Sequence, residues 1–95
     1  MGYEIVFKKR FAKNLLNVIS YLELEWGEKV ADEFYDKITE LFDLLASHPF
    51  IGAPSVKLKN LRGVSITRHN RLFYRIEKNK VIIVALGDTR RKNYH

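Results

Sequence analysis

Two stretches of the chain carry the side chains best suited to handling a polyanion: "RHNRLFYR", with Arg68, His69, Arg71 and Arg75, and "RRKNYH", with Arg90, Arg91, Lys92, Tyr94 and His95. A third, "VKLKN", adds Lys57 and Lys59. Arginine keeps its charge because its pKa lies above about 12, so it can hold a phosphate and stabilise developing charge but cannot move a proton. Histidine titrates near pH 6.5, and tyrosine, ordinarily near 10, comes within reach of neutrality only beside cations such as those of the tail. These types together could cut RNA without a metal. The ribose 2′-hydroxyl would attack its own 3′-phosphate while the site supplies a proton acceptor, a proton donor and cations for the extra negative charge. The arginines would serve the phosphate, and Tyr94, His95 or His69 the protons. The same set also describes a passive phosphate-binding surface.

The charge distribution points the same way. Residues 1–54 carry six Lys/Arg against nine Asp/Glu, whereas residues 55–95 carry eleven against two, net +9 in the second half. Cations confined to one half of a small domain read as an electrostatic footprint for phosphate. There is no cysteine, and the three histidines, His48, His69 and His95, lack metal-ligand spacing, so neither a metal nor another cofactor is expected. The longest apolar run, "VIIVAL", is far short of the ~20 residues that span a membrane, and the first residues show no secretion signal, so a cytoplasmic protein without a membrane partner is expected. Ninety-five residues suit one domain over 1–95. Such a domain buries roughly 60–65% of its unfolded surface, enough for one modest core.

These side chains need a frame. "YEIVF" alternates as a short strand does. From Arg10 the period becomes helical, with Phe11, Leu15, Val18, Ile19 and Leu22 on one stripe, up to Trp26 and a stop at Gly27. Lys8 and Lys9 stand where a capping side chain would be expected. A second stripe, Val30, Phe34, Ile38, Leu41 and Leu45, follows at once, with Glu28, Asp32, Glu33 and Asp36 near its start, where the helix dipole favours anions. Trp26 is expected to pack at the hairpin bend rather than to stack on bases, and His48 to end the second helix. "SHPFIGAPS" breaks the helix. Three strands follow the basic loop, "VSITR", "LFYRIE" and "VIIVAL", joined by the turns "HNR" and "KNK", in which Asn70 and Asn79 would tolerate positive φ. The order β-α-α-β-β-β predicts an α+β fold: a helical hairpin on one face of a small, mainly antiparallel four-stranded sheet, with the last strand central and the first beside it. Leu72, Tyr74 and Ile76 would then face the helices. Arg71, Phe73 and Arg75 would face outward, with Arg75 free to pair with Glu77 or with the acidic helices.

In this order, "LFDLLASHPFIGAPS", "HNRLFYRIE" and "VIIVALGDTR" make the chain similar to the RelE/ParE superfamily of toxins from bacterial type II toxin-antitoxin systems, over nearly its whole length. The resemblance implies a growth-inhibiting toxin and, as partner, an acidic antitoxin masking the basic face. RelE-like members enter the ribosomal A site and cleave mRNA, whereas ParE-like members poison DNA gyrase and are not nucleases. The resemblance assigns Arg71 to the strand arginine at the scissile phosphate and Arg90 to the second phosphate-stabilising arginine. Tyr94 and His95 resemble the C-terminal residues that move protons, and Lys57 and Lys59 fall where basic residues assist. The long helices and the "HPFIGAP" loop look ParE-like, and the base glutamate of YoeB-like members has no clear counterpart. The sequence therefore leads to an expectation of ribosome-dependent mRNA cleavage, with gyrase inhibition as the alternative and a basic RNA-binding module as the third reading.

Overall fold

The computed structural model describes residues 2–88, so Arg90, Arg91, Lys92, Tyr94 and His95 lie outside the described residues. The elements are β1 (Glu4–Phe7), α1 (Lys9–Trp26), α2 (Glu28–Ser47), β2 (Ala53–Pro54), β3 (Arg62–Thr67), β4 (Asn70–Glu77) and β5 (Lys80–Asp88).

The apolar stripes become helices where expected. Phe11 of α1 is buried, and Leu15, Val18, Ile19 and Leu22 pack around it against the core. Lys8 caps α1 without a side-chain hydrogen bond, as its chemistry implies. Gly27 is at once the last cap of α1 and the first of α2. Its φ of 95° is open to glycine, and its N–H donates to the carbonyls of Leu22 and Glu23. On α2 the buried positions are Ala31, Phe34, Ile38 and Leu45. Val30, expected on that stripe, is instead 36% exposed, because the smaller Ala31 takes the inward place beside the tight turn. Trp26, the last residue of α1, is 65% exposed and does not pack as expected. His48 does end α2, its N–H donating to the Leu44 carbonyl.

The sheet has five strands in the order β1-β5-β4-β3-β2, with β1 parallel to β5 and the other pairs antiparallel. The extra strand is β2, two residues paired to Arg62 and Gly63. Pro54 is tolerated there because an edge strand needs no second ladder. β5 lies between β1 and β4, central as expected, with a hydrogen-bonded neighbour at each edge.

Both long hairpins turn on two residues, Arg68-His69 and Lys78-Asn79, since Thr67 pairs with Asn70 and Glu77 with Lys80. Asn70 is therefore a buried strand residue, accepting a hydrogen bond from the Thr67 hydroxyl at 3.0 Å, and not a turn residue. Among the described non-glycine residues, positive φ falls on Asn60 and Lys78, not on Asn70 or Asn79.

A bulge in β5 lets the strand serve two neighbours. Phe73 pairs with Ala85 but Tyr74 with Ile83, leaving Val84 as the extra residue. The inward set on β5 thus runs Val81, Ile83, Leu86. β1 has ended by this point, and the Leu86 N–H is met at 3.1 Å by the Asn14 side chain of α1. The helical hairpin covers one sheet face, closing a core of Phe11, Phe34, Ile38, Leu45, Leu72, Tyr74, Val81, Ile83 and Leu86.

Candidate functional site

Because β4 alternates, one strand serves both sides of the sheet. Leu72 and Tyr74 point into the core with no exposed surface, and Arg71, Phe73 and Arg75 lie half-buried on the opposite, open face. Register then fixes the surroundings of each arginine. Arg71 has Ser65 across from it on β3 and Gly87 across on β5. Its Nη1 lies 3.3 Å from Ser65 Oγ and its Nη2 3.4 Å from the Gly63 carbonyl oxygen. These are long contacts, weak for a charged donor. The guanidinium lies down along β3 over Gly63. A Cβ at Gly63 would come within 2.6 Å of Arg71 Nε, 3.1 Å of Nη2 and 3.2 Å of Cζ.

Arg75 is engaged differently. It donates Nε to Glu77 of the same strand, one of its two expected pairings, and this hydrogen bond and charge hold the exposed Glu77 carboxyl below its ordinary range. Arg68 and His69 form the β3–β4 turn, with the His69 backbone N–H held by the Thr67 hydroxyl at 3.2 Å. Lys57 and Lys59 are exposed on the segment between β2 and β3. Of the expected site residues, then, Arg71 and Arg75 share the open face, while Arg68 and His69 stand at its hairpin end. The tail candidates are not described. The pairing of Arg71 with Gly87 and of Asn70 with Asp88 brings the chain to the start of that tail beside Arg71. Among the described residues, no group of three His, Asp or Glu could hold a metal ion, and no helix is long and apolar enough to cross a membrane.

A second constellation, not anticipated from sequence, lies at the β2 side. The Tyr74 hydroxyl donates to the Pro49 carbonyl at 2.7 Å and accepts from the Gly52 N–H at 2.9 Å. Burial raises the pKa of that hydroxyl above its ordinary value, outweighing the Gly52 hydrogen bond and the Arg62 charge, which lower it. Arg62 closes the loop from outside, donating to the Gly52 carbonyl at 2.6 Å with its guanidinium 5.0 Å from the Phe50 ring centre. Together they fix "HPFIGAP" against β3 and β4. The one hint in the sequence was a tyrosine on a face otherwise made of aliphatic residues, since a buried hydroxyl needs partners.

Comparison with known proteins gives a consistent answer. A sequence profile described as ParE toxin of type II toxin-antitoxin system, parDE, matches residues 5–93. The chain belongs to that family, and it is a toxin of the type II toxin-antitoxin class. Solved structures share its architecture. The chromosomal ParDE system from P. aeruginosa superposes with a TM-score of 0.78 at 16% identity, over 90% of this chain and 95% of that one. The RelBE2 toxin-antitoxin complex from Mycobacterium tuberculosis gives 0.65 at 18%, over 93% and 99%. YafQ from E. coli gives 0.64 at 15%, over 93% and 94%. At these identities the likeness concerns the fold alone. Comparison with curated proteins found no match.

Proposed function

We propose that this toxin arrests growth by binding rather than by catalysis, inhibiting DNA gyrase as ParE-like proteins do. The open face of β4 is the contact surface, and a cognate antitoxin of acidic character covers it. The observation that carries this reading is the company Arg71 keeps. Its strand neighbours on that face are Ser65, Gly63, Phe73 and Gly87, none with an ionisable side chain. A guanidinium in such a setting can grip a carboxylate or phosphate through its fork of donors, but none of these four described neighbours carries a side chain that takes or gives a proton near neutral pH. Membership of the ParE family supports the same choice.

The test is a supercoiling assay with purified gyrase and no ribosomes. The wild-type protein should inhibit it, and Arg71→Ala should raise the half-inhibiting concentration about 30-fold, matching the ~2 kcal/mol of a central interface arginine. Intact supercoiling at every toxin concentration would sink this reading.

One observation favours ribosome-dependent mRNA cleavage as a second reading. The register sets Gly87 across from Arg71 and Asp88 across from Asn70, so the strand that precedes Arg90, Tyr94 and His95 in the sequence ends beside the arginine face. There Arg71 and Arg90 would hold the scissile phosphate, with Tyr94, His95 or His69 moving protons. Cleavage of mRNA on programmed ribosomes, lost in both Arg71→Ala and Tyr94→Phe, would establish it.

A further inference from the structure

We propose that Gly63 and Ser65 are positioning residues that form a seat for Arg71, holding its guanidinium extended over β3 so that its remaining donors are presented to an incoming oxyanion. The proposal rests on the reading that the open face of β4 is the contact surface.

Three observations carry it. The three heavy atoms nearest to an added Cβ at Gly63 all belong to the head of Arg71, and none to the backbone or the core. Glycine at 63 is therefore not needed for the local chain path, since its φ is not positive; what its missing side chain leaves room for is the arginine. Ser65 Oγ and the Gly63 carbonyl take one N–H each from the two terminal nitrogens. Guanidinium has five N–H donors, so with respect to the described residues Nε–H and one hydrogen on each terminal nitrogen are left for a two-pronged grip on carboxylate or phosphate. The seat bonds are long, so they orient the group without competing strongly with a ligand.

An arginine free in solution samples many rotamers and must lose them on binding, whereas a seated one has lost most of them already. Gly63→Ala pushes the head off the strand while leaving the charge in place. It should weaken inhibition about 3- to 10-fold, the range set by immobilising one long side chain.

The experiment reads the arginine directly and then its consequence. In ¹⁵N relaxation of the full chain, the Arg71 Nε–Hε signal, assigned by its absence in Arg71→Lys, should be nearly as ordered as the backbone. In Gly63→Ala it should become mobile, with backbone shifts outside β3 and β4 unchanged. Potency is then measured in gyrase supercoiling and in growth arrest at matched toxin level, for Gly63→Ala, Arg71→Ala and the double variant. The double variant should be no weaker than Arg71→Ala alone. An Arg71 signal already mobile in the wild type, or a Gly63→Ala loss that persists undiminished without Arg71, overturns the seat. Should Gly63→Ala fail to fold, Ser65→Ala decides: loosening of the Nε–Hε signal supports the seat, and an unchanged signal overturns it. If gyrase is unaffected by the wild type, the gyrase reading falls, while the relaxation and growth-arrest data still judge the seat.

Discussion

Two glycines lie beneath two side chains of β4, and they serve opposite ends. Gly52 sits under Tyr74, where an added Cβ would be 2.6 Å from the hydroxyl and 2.8 Å from a ring carbon, with the Gly63 carbonyl at 3.0 Å. Gly63 sits under Arg71, where the nearest atoms are the tip of a long, half-exposed side chain. In the first place the neighbour is a ring with no exposed surface, bonded at 2.7 and 2.9 Å, and it has nowhere to go. In the second the neighbour can swing into water. A missing side chain thus locks a loop on the core side of the strand and presents a charge on its open side. The difference comes from what lies behind the displaced group, packed protein or solvent, and not from the glycine itself.

The comparison breaks first at Gly52. Gly52→Ala must shift the Tyr74 ring and lose the Gly52 N–H bond, and overpacking with a broken buried hydrogen bond should cost about 3 kcal/mol. For a domain of this size that lowers the midpoint of thermal unfolding by roughly 10–20 °C. Gly63→Ala, the same chemical change, should leave the midpoint within a few degrees while weakening the toxin. Equal losses of stability in the two variants would mean that Arg71 is as firmly packed as Tyr74, and the contrast would vanish.

Tyr74→Phe sharpens the buried half. It keeps the ring but leaves the Pro49 carbonyl and the Gly52 N–H without their partner, which should cost about 2 kcal/mol in denaturant unfolding. The effect carries a pH signature. The folded-state pKa of Tyr74 is raised above its ordinary 10.0, so the unfolded chain gives up this proton more readily than the native one. Its contribution is whole below pH 10 and drains away as pH rises from there through the folded-state value. The stability gap between wild type and Tyr74→Phe should therefore narrow above pH 10, and a constant gap would show that the hydroxyl is not held protonated by burial.

The two halves of this comparison were unequally legible in the sequence. The helices were plain because a 3.6-residue stripe such as Phe11, Leu15, Val18, Leu22 admits little else, and the outward set Arg71, Phe73, Arg75 followed from the two-residue period of a strand. β2 was missed because two residues, one of them proline, carry no period at all. Arg62 and Gly63 read as loop because glycine usually punctuates, whereas here it is a strand residue lying under an arginine. Asn70 read as a turn for the same statistical reason, though the Thr67 hydroxyl satisfies it inside the hairpin. The Tyr74 clamp spans 25 residues to Pro49, and no local pattern announces a hydrogen bond of that separation.

The smallest effect lies a step further along the open face. Arg75 and Glu77 are two residues apart on one strand, and the carboxylate side chain is 54% exposed. An ion pair in that position is strengthened by its hydrogen bond but loses most of its Coulomb attraction to water and salt. Glu77 is held below its ordinary range chiefly by the bond from Arg75, so what it adds to stability is present at neutral pH and is lost as pH falls through the lowered folded-state value. Solvent access keeps that amount small. Glu77→Gln should therefore leave the thermal midpoint at pH 7 unchanged within error, and 0.5 M salt should have no greater effect on the wild type than on the variant. A clear drop in the midpoint would show that the pair, unlike the Arg71 seat, organises the strand and not merely its surface, and the open face would have to be regarded as structural at that end.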